Sequence, residues 1–147
     1  TALASQVWPR GYHSTAVLLP DGRVLSAGDT SGSPGDHTLE IYSPPYLFKG
    51  TRPSITSAPS SVGYGAQFNV STSGPVSRAV LMSPGATAHN DDMNQRHIEL
   101  AIAKNGGGVT ATAPANANLA PPGYYMLFVL DANGVPAVAP IVQLFVA

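Results

Sequence analysis

The sequence has 147 residues and no cysteine, which excludes disulfides and zinc–thiolate sites within the chain. Its formal net charge is −1, so there is no basic surface for nucleic-acid phosphates. Hydrophobic residues make up 44%, enough for a packed core, but no apolar run approaches the roughly 20 residues that span a bilayer. Charged residues make up only 10%, against about 25% in average soluble domains. Two interpretations of this low charge stay open: the Ser-, Thr- and Gly-rich surface of a secreted or cell-surface protein, or a surface partly covered by other protein.

The predicted elements are all β-strands, because glycines and prolines interrupt every window long enough for a helical repeat. The first is a hairpin with strands at 15–19 and 23–27, around an Asp21-Gly22 turn that tolerates positive φ. A further extended run at 39–43 ends at two prolines. Because a two-stranded hairpin is marginal in water, we expect this one to pair with strands from missing sequence or from another copy.

A Pro-, Ser- and Thr-rich passage at 46–61 reads as a linker or irregular crossing and separates the hairpin from a second group of strands. These strands are predicted at 67–71, 79–82, 97–103, 109–112, 124–130 and 141–146. Their lengths and spacing are typical of an immunoglobulin-like β-sandwich. We therefore divide the chain into residues 1–51, the hairpin and its connection, and residues 52–147, the sandwich.

The histidines and one tyrosine are the first candidates for chemistry. His97 begins a strand on its polar face and His37 lies in a loop, so both are predicted to be solvated or to make local hydrogen bonds. His13 follows Tyr12, and imidazole and oxygen donors suit a tetragonal Cu(II) site. Neighbouring strand residues point to opposite faces, so these two side chains can share a metal ion only where the backbone turns, which Gly11 makes easier. From spacing alone, the better interpretation is a buried aromatic beside an edge histidine.

His89 lies in a polar loop, 84–96, between two predicted sandwich strands. Rigid sheets commonly position such loops for function. Asp91 and Asp92 in the same loop could suggest calcium binding, but the alternating oxygen ligands of an EF-hand are absent, and we expect these carboxylates to be solvated. A purely structural divalent-metal site, made by two histidines and a tyrosine, is another alternative.

Several motifs occur in order from about residue 8 to the end of the chain. They include Arg10-Gly-Tyr-His-Ser14, Leu18-Leu-Pro-Asp-Gly-Arg-Val24, Ile41-Tyr-Ser-Pro-Pro-Tyr-Leu47, Thr87-Ala-His89 with Asn94-Gln-Arg96, and Leu119-Ala-Pro-Pro-Gly-Tyr-Tyr-Met-Leu-Phe-Val129. Together they resemble the C-terminal part of copper-radical oxidases of the galactose oxidase and glyoxal oxidase family. The resemblance implies an all-β chain in which a hairpin from the last blade of a kelch-type propeller precedes an immunoglobulin-like sandwich.

The resemblance also implies a role for three residues. His13 and His89 would be equatorial ligands of copper (Cu2+). Tyr12 would be the axial ligand and the base that takes the proton of the substrate hydroxyl; a phenol is a poor base unless a metal modulates it. The implied chemistry is the two-electron oxidation of a small-molecule alcohol, sugar or aldehyde by O2, which is reduced to H2O2.

The same resemblance shows what this chain cannot supply. The radical cofactor of the family is a tyrosine cross-linked to a cysteine of the upstream propeller, and this sequence has no cysteine. We therefore expect the cofactor and the missing propeller domain to lie outside the chain, and the chain alone to be inactive. A non-catalytic alternative stays open: a β-sandwich module that binds glycans or scaffolds a cell-surface protein.

Overall fold

The computed structural model describes residues 3–28, 37–89 and 91–146. Its strands are β1 (Thr15–Leu18), β2 (Val24–Ala27), β3 (Leu39–Tyr42), β4 (Ser54–Ser57), β5 (Ser61–Gly63), β6 (Gln67–Ser73), β7 (Arg78–Met82), β8 (Thr87–Ala88), β9 (Asp91–Asp92), β10 (His97–Lys104), β11 (Gly108–Thr112), β12 (Gly123–Leu130) and β13 (Ile141–Phe145). The helical element within these residues is a single 3-10 turn over Pro45–Phe48. The prediction of an all-β chain is confirmed, and none of the described helices is long and apolar enough to cross a membrane.

The N-terminal strands form a three-stranded antiparallel sheet in the order β1-β2-β3. The hairpin turn forms where predicted: the Leu19 amide donates to the Arg23 carbonyl at 2.8 Å, and Gly22 has a φ of 83°. The expected source of the hairpin's partner is wrong, because β3 of the same chain pairs with β2, with Val24 opposite Tyr42. A third strand within the chain supplies the pairing that the hairpin needs.

The second group of strands forms a two-layer sandwich, as predicted. Layer 1 contains β4, β6, β11 and the end of β10, and layer 2 contains the start of β10 with β7, β12, β13 and β5. Strand β10 joins the layers because residues 97–100 pair with β7 and residues 101–104 pair with β11. The core between the layers is apolar and fully buried at Val70, Val109 and Leu127. This is the immunoglobulin-like arrangement that the strand spacing indicated.

The segment predicted as a linker is more regular than expected. It contains the 3-10 turn and β4, which hydrogen-bonds to β6 at the edge of layer 1. Strand β5, which was not predicted, pairs in parallel with β13 at the other edge. Both strands are short and rich in serine, so their sequences carry little alternation, and their pairing depends on a partner distant in the chain.

The three-stranded sheet packs on the outer face of layer 2. Strand β12 is buried on both of its faces, and Met126 and Phe128, which face away from the core between the layers, pack with Leu18 of β1. The Arg52 side chain ties the two parts together: its Nε donates to the Pro136 carbonyl at 2.9 Å, and one terminal nitrogen donates to the Asp21 carbonyl at 2.8 Å. This packing places β1 beside the loops of layer 2.

Candidate metal centre

A tight turn, not a strand, carries Tyr12 and His13. The Ser14 amide and hydroxyl both donate to the Gly11 carbonyl, at 3.2 and 2.7 Å. His13 has a φ of 66°, in the left-handed region that non-glycine residues seldom occupy. The turn removes the alternation of a strand and brings the two rings together, with centroids 4.0 Å apart and planes at 64°.

A short hairpin carries His89. In the β8–β9 pairing Thr87 lies opposite Asp92 and Ala88 opposite Asp91, and His89 directly follows β8. His89 has a φ of 52°, which like that of His13 lies in the left-handed region that non-glycine residues seldom occupy. Both candidate histidines therefore occupy a costly backbone region, which is characteristic of functional sites.

The turn and the hairpin meet. The His89 ring centroid lies 5.7 Å from that of His13 and 6.1 Å from that of Tyr12. The base of the hairpin reaches β1 through a close backbone approach, since a Cβ built on Gly85 would lie 3.1 Å from Cγ1 of Val17. Tertiary packing thus brings the His89 ring to the neighbouring rings of Tyr12 and His13, which lie far from it in the sequence.

All three rings are open to the outside of the chain. Tyr12 is 59% exposed, and His13 and His89 are also exposed. The interpretation of Tyr12 as a buried aromatic is therefore wrong, because the turn directs it away from the core. His97 and His37 are exposed as well, at the start of β10 and in a turn.

The backbone of Gly28 packs directly against the Tyr12–His13 turn. A Cβ on Gly28 would lie 2.5 Å from the Ser14 Cα and 2.8 Å from the His13 carbonyl oxygen. The φ of Gly28 is 112°, a value that a residue with a side chain rarely adopts. Glycine is therefore required here for two separate reasons.

A partly buried ion pair holds the segment that leads into the turn. The Arg10 side chain is 6% exposed, lies 3.4 Å from the Glu40 carboxylate and donates to the Gly28 carbonyl at 3.0 Å. The Glu40 carboxylate also accepts the amides of Trp8 and Val7, each at 3.0 Å. These amide hydrogen bonds, together with the Arg10 charge, lower the pKa of Glu40. Sequence reasoning did not assign either charged residue, although Arg10 lies within the first motif.

The Asp92 carboxylate holds the hairpin. Its Oδ1 accepts the amides of Ala86 and Asn94, each at 3.0 Å, and the Asn94 side chain donates to the Pro84 carbonyl at 3.0 Å. The expectation that both loop aspartates are simply solvated is thus wrong for Asp92, since its partners are backbone amides within the loop. Asp91 is exposed.

The donor set fits copper. Across residues 3–28, 37–89 and 91–146, no three His, Cys, Asp or Glu side chains cluster as a metal site. The two imidazoles of His13 and His89 have the phenol of Tyr12 beside them. Nitrogen and oxygen donors of this kind suit Cu(II) better than a hard cation such as Ca2+. First-row ions hold imidazole nitrogen at about 2 Å, and the observed ring separations allow all three rings to reach one ion.

Comparison with known proteins places the chain in a family. Residues 52–144 match the model of the family described as "Galactose oxidase-like, Early set domain", so the chain belongs to that family and the resemblance drawn from the motifs is confirmed. It is 39% identical to a galactose oxidase of Gibberella zeae over 142 residues, which cover 88% of this chain and 21% of that protein. It is 36% identical to the aldehyde oxidase GLOX1 of Arabidopsis thaliana, over 97% of this chain and 27% of that protein.

A solved structure is similar over nearly the whole chain. It is described as a novel fungal alcohol oxidase of the AA5 family in complex with copper, and it superposes with a TM-score of 0.87 at 31% identity, covering 99% of this chain and 33% of that one. The chain thus spans roughly a fifth to a third of the length of these relatives. The activities in those names belong to the longer proteins.

Proposed function

We propose that the chain is the C-terminal portion of a secreted or cell-surface copper-radical oxidase, to which it contributes Tyr12, His13 and His89 as copper ligands. The complete protein would oxidise a primary alcohol or aldehyde with O2 and give H2O2. The observation that carries the proposal is that the rings of Tyr12, His13 and His89 lie together, with all centroid distances at or below 6.1 Å. The relatives of the chain are named as oxidases.

The positions of the three side chains support the proposed roles. His13 and His89 come from two different elements, so together they can hold an ion at the junction of the three-stranded sheet and the sandwich. Tyr12 is accessible, at 59% exposure, and in the proposal it takes the proton of the substrate hydroxyl. Copper, with the cross-linked Tyr–Cys cofactor, would supply the two-electron chemistry.

The proposal also assigns what lies outside the chain. The sequence has no cysteine, so the Tyr–Cys cofactor has to come from upstream residues, in line with the larger size of the relatives. We propose that the three-stranded sheet belongs to the last blade of a kelch-type propeller and that the missing blades complete the site over the exposed rings. The isolated chain would then bind copper without turning over substrate.

Copper titration followed by electron paramagnetic resonance tests the proposed ligands. The chain should give a Cu(II) signal with nitrogen hyperfine coupling, and His13→Ala or His89→Ala should weaken copper binding by at least about 10-fold. His97→Ala is the matched control, because this exposed histidine begins β10 outside the three-ring group. An unchanged signal in both ligand variants, or an equal loss in the control, would contradict the proposal.

Two further measurements, of sugar binding and of H2O2 production, separate the non-catalytic alternatives. A glycan-binding module would bind sugars without copper, and that binding would survive loss of both histidines. A purely structural metal site would bind copper in the chain, but joining the chain to its upstream residues would give no H2O2 with any primary alcohol or aldehyde.

A further inference from the structure

Asn69 begins the one Asn-x-Ser/Thr sequence, with x other than proline, in the 147 residues: Asn69-Val70-Ser71. Such a sequence on an accessible surface is the acceptor for N-linked glycosylation in secreted proteins. We infer that Asn69 is an N-linked glycosylation site. The inference shares with the proposed function only the passage of the chain through the secretory pathway, and it is independent of copper.

Strand β6 exposes the acceptor side chain. Phe68 and Val70 are 7% and 0% exposed and face the core, while Asn69, between them, is exposed. The period of two along a strand therefore places the Asn69 amide on the outer face of layer 1. A modification there requires no rearrangement of the core.

Neither hydrogen bond from Thr110 and Asn105 to the Asn69 side chain uses Nδ2, the atom that would react. Its Oδ1 accepts from the Thr110 hydroxyl at 2.8 Å and from the Asn105 side-chain amide at 3.4 Å. Nitrogen Nδ2 is the atom that carries the sugar, and neither bond uses it. A glycan on Nδ2 is thus compatible with both observed contacts.

A glycan on the outer face of layer 1 would lie on the side of the sandwich opposite the three-stranded sheet. The outer face of layer 2 packs on the three-stranded sheet through Met126, Phe128 and Leu18, whereas β6 lies in the opposite layer. The sandwich core therefore separates Asn69 from the face on which the three-stranded sheet packs. A large, hydrated group can be accommodated on this side without covering that contact.

The surface around Asn69 lacks the charge that usually keeps a sheet face soluble. Pairing in layer 1 places uncharged residues beside it on the same face: Gln67, Ala101, Ala103, Thr110 and Thr112. Only 10% of the whole chain is charged. A glycan is bulky and solubilising, so it would hydrate a neutral face that otherwise favours association.

The modification is a group transfer from a lipid-linked oligosaccharide. Nδ2 of Asn69 forms a bond to C1 of the sugar, the bond between C1 and the pyrophosphate oxygen breaks, and the lipid pyrophosphate leaves. Nδ2 loses one proton in the same step. The sugar donor, the lipid-linked oligosaccharide, is the one that serves N-linked glycosylation throughout the secretory pathway.

The test is secretion of the full chain from a eukaryotic host behind a cleavable signal. We expect a band that peptide N-glycosidase shifts to higher mobility, with conversion of the asparagine at position 69 to aspartate in the peptide mass spectrum. Ser71→Ala should abolish the shift while keeping the asparagine, and Ser71→Thr should retain it. Asn105→Gln, which alters a neighbour outside any acceptor sequence, is the matched control and should leave the shift unchanged.

Two results would overturn the inference: secreted, folded chain with unmodified Asn69, or a glycosidase-sensitive shift that persists in Ser71→Ala. Copper titration of the same secreted protein gives a separate readout, which Ser71→Ala should not affect. Failure of the glycan and failure of the metal site are therefore distinguishable.

Discussion

Replacing Gly28 by alanine should disrupt the metal site by displacing the turn that carries its first two donors. The added Cβ would lie 2.5 Å from the Ser14 Cα, whereas ordinary contact begins at 3.4 Å, so the two backbones have to separate by about 0.9 Å. Metal–ligand distances tolerate only about 0.2 Å. We therefore expect a loss of copper affinity of roughly 10- to 100-fold.

The same substitution should also lower the free energy of unfolding. The φ of 112° at Gly28 costs a residue with a side chain about 1–3 kcal/mol, and relief of the overlap with backbone atoms adds about 1–3 kcal/mol. Gly106→Ala is a matched control, because Gly106 has a φ of 80° and a Cβ there would meet nothing within 4 Å. It should show the backbone cost alone and unaltered copper binding.

Urea unfolding followed by circular dichroism measures the stability difference between these variants, and copper paramagnetic resonance measures the site. Retention of copper affinity and of the hyperfine pattern in folded Gly28→Ala would refute the reasoning. It would mean that the turn can move without moving the donor atoms. Equal copper loss in both glycine variants would show that the effect is not local to the turn.

Three further predictions concern charged side chains. The pKa of Glu40 is lowered from 4.5, so the stabilising contribution of its carboxylate is lost as the pH falls below about 4.5. The Glu40→Gln variant should therefore be less stable than the original chain near neutral pH and should lose less stability on acidification. Urea unfolding at a series of pH values measures both effects. Asp92→Ala removes the acceptor of two hairpin amides and should weaken copper binding about 10-fold, measured by titration. Arg78→Ala breaks an exposed pair with Glu99 and should leave the midpoint of urea unfolding nearly unchanged, because solvent screens the pair.

Each of these predictions has an opposing outcome. An identical pH profile for Glu40→Gln would show that its hydrogen bonds to the N-terminal segment do not stabilise the fold. Full copper affinity in Asp92→Ala would show that the hairpin holds His89 without the carboxylate. A large loss of stability in Arg78→Ala would contradict the assignment of its ion pair as a solvent-screened surface contact.

Local patterns in the sequence predicted much of the fold. Turn chemistry at Asp21-Gly22 predicted the first hairpin. The alternation of Ile98, Leu100 and Ile102 predicted strand β10 of the sandwich. Both signals act over a few residues, so a local sequence pattern contains them. The same rules missed β4, β5 and the β8–β9 hairpin. Those strands are two to four residues long, and partners elsewhere in the chain determine their pairing.

For the proposed metal site, the family motifs in the sequence alone singled out the candidate donors Tyr12, His13 and His89. Spacing gave the opposite expectation for the first pair, because adjacent strand residues face apart. Only the tertiary structure decided that they meet. Positive φ values at both histidines are unfavourable locally, and they persist because Gly28 lies under one turn and the other loop rests on β1. Contacts between distant segments, which no local pattern encodes, bring the three rings together.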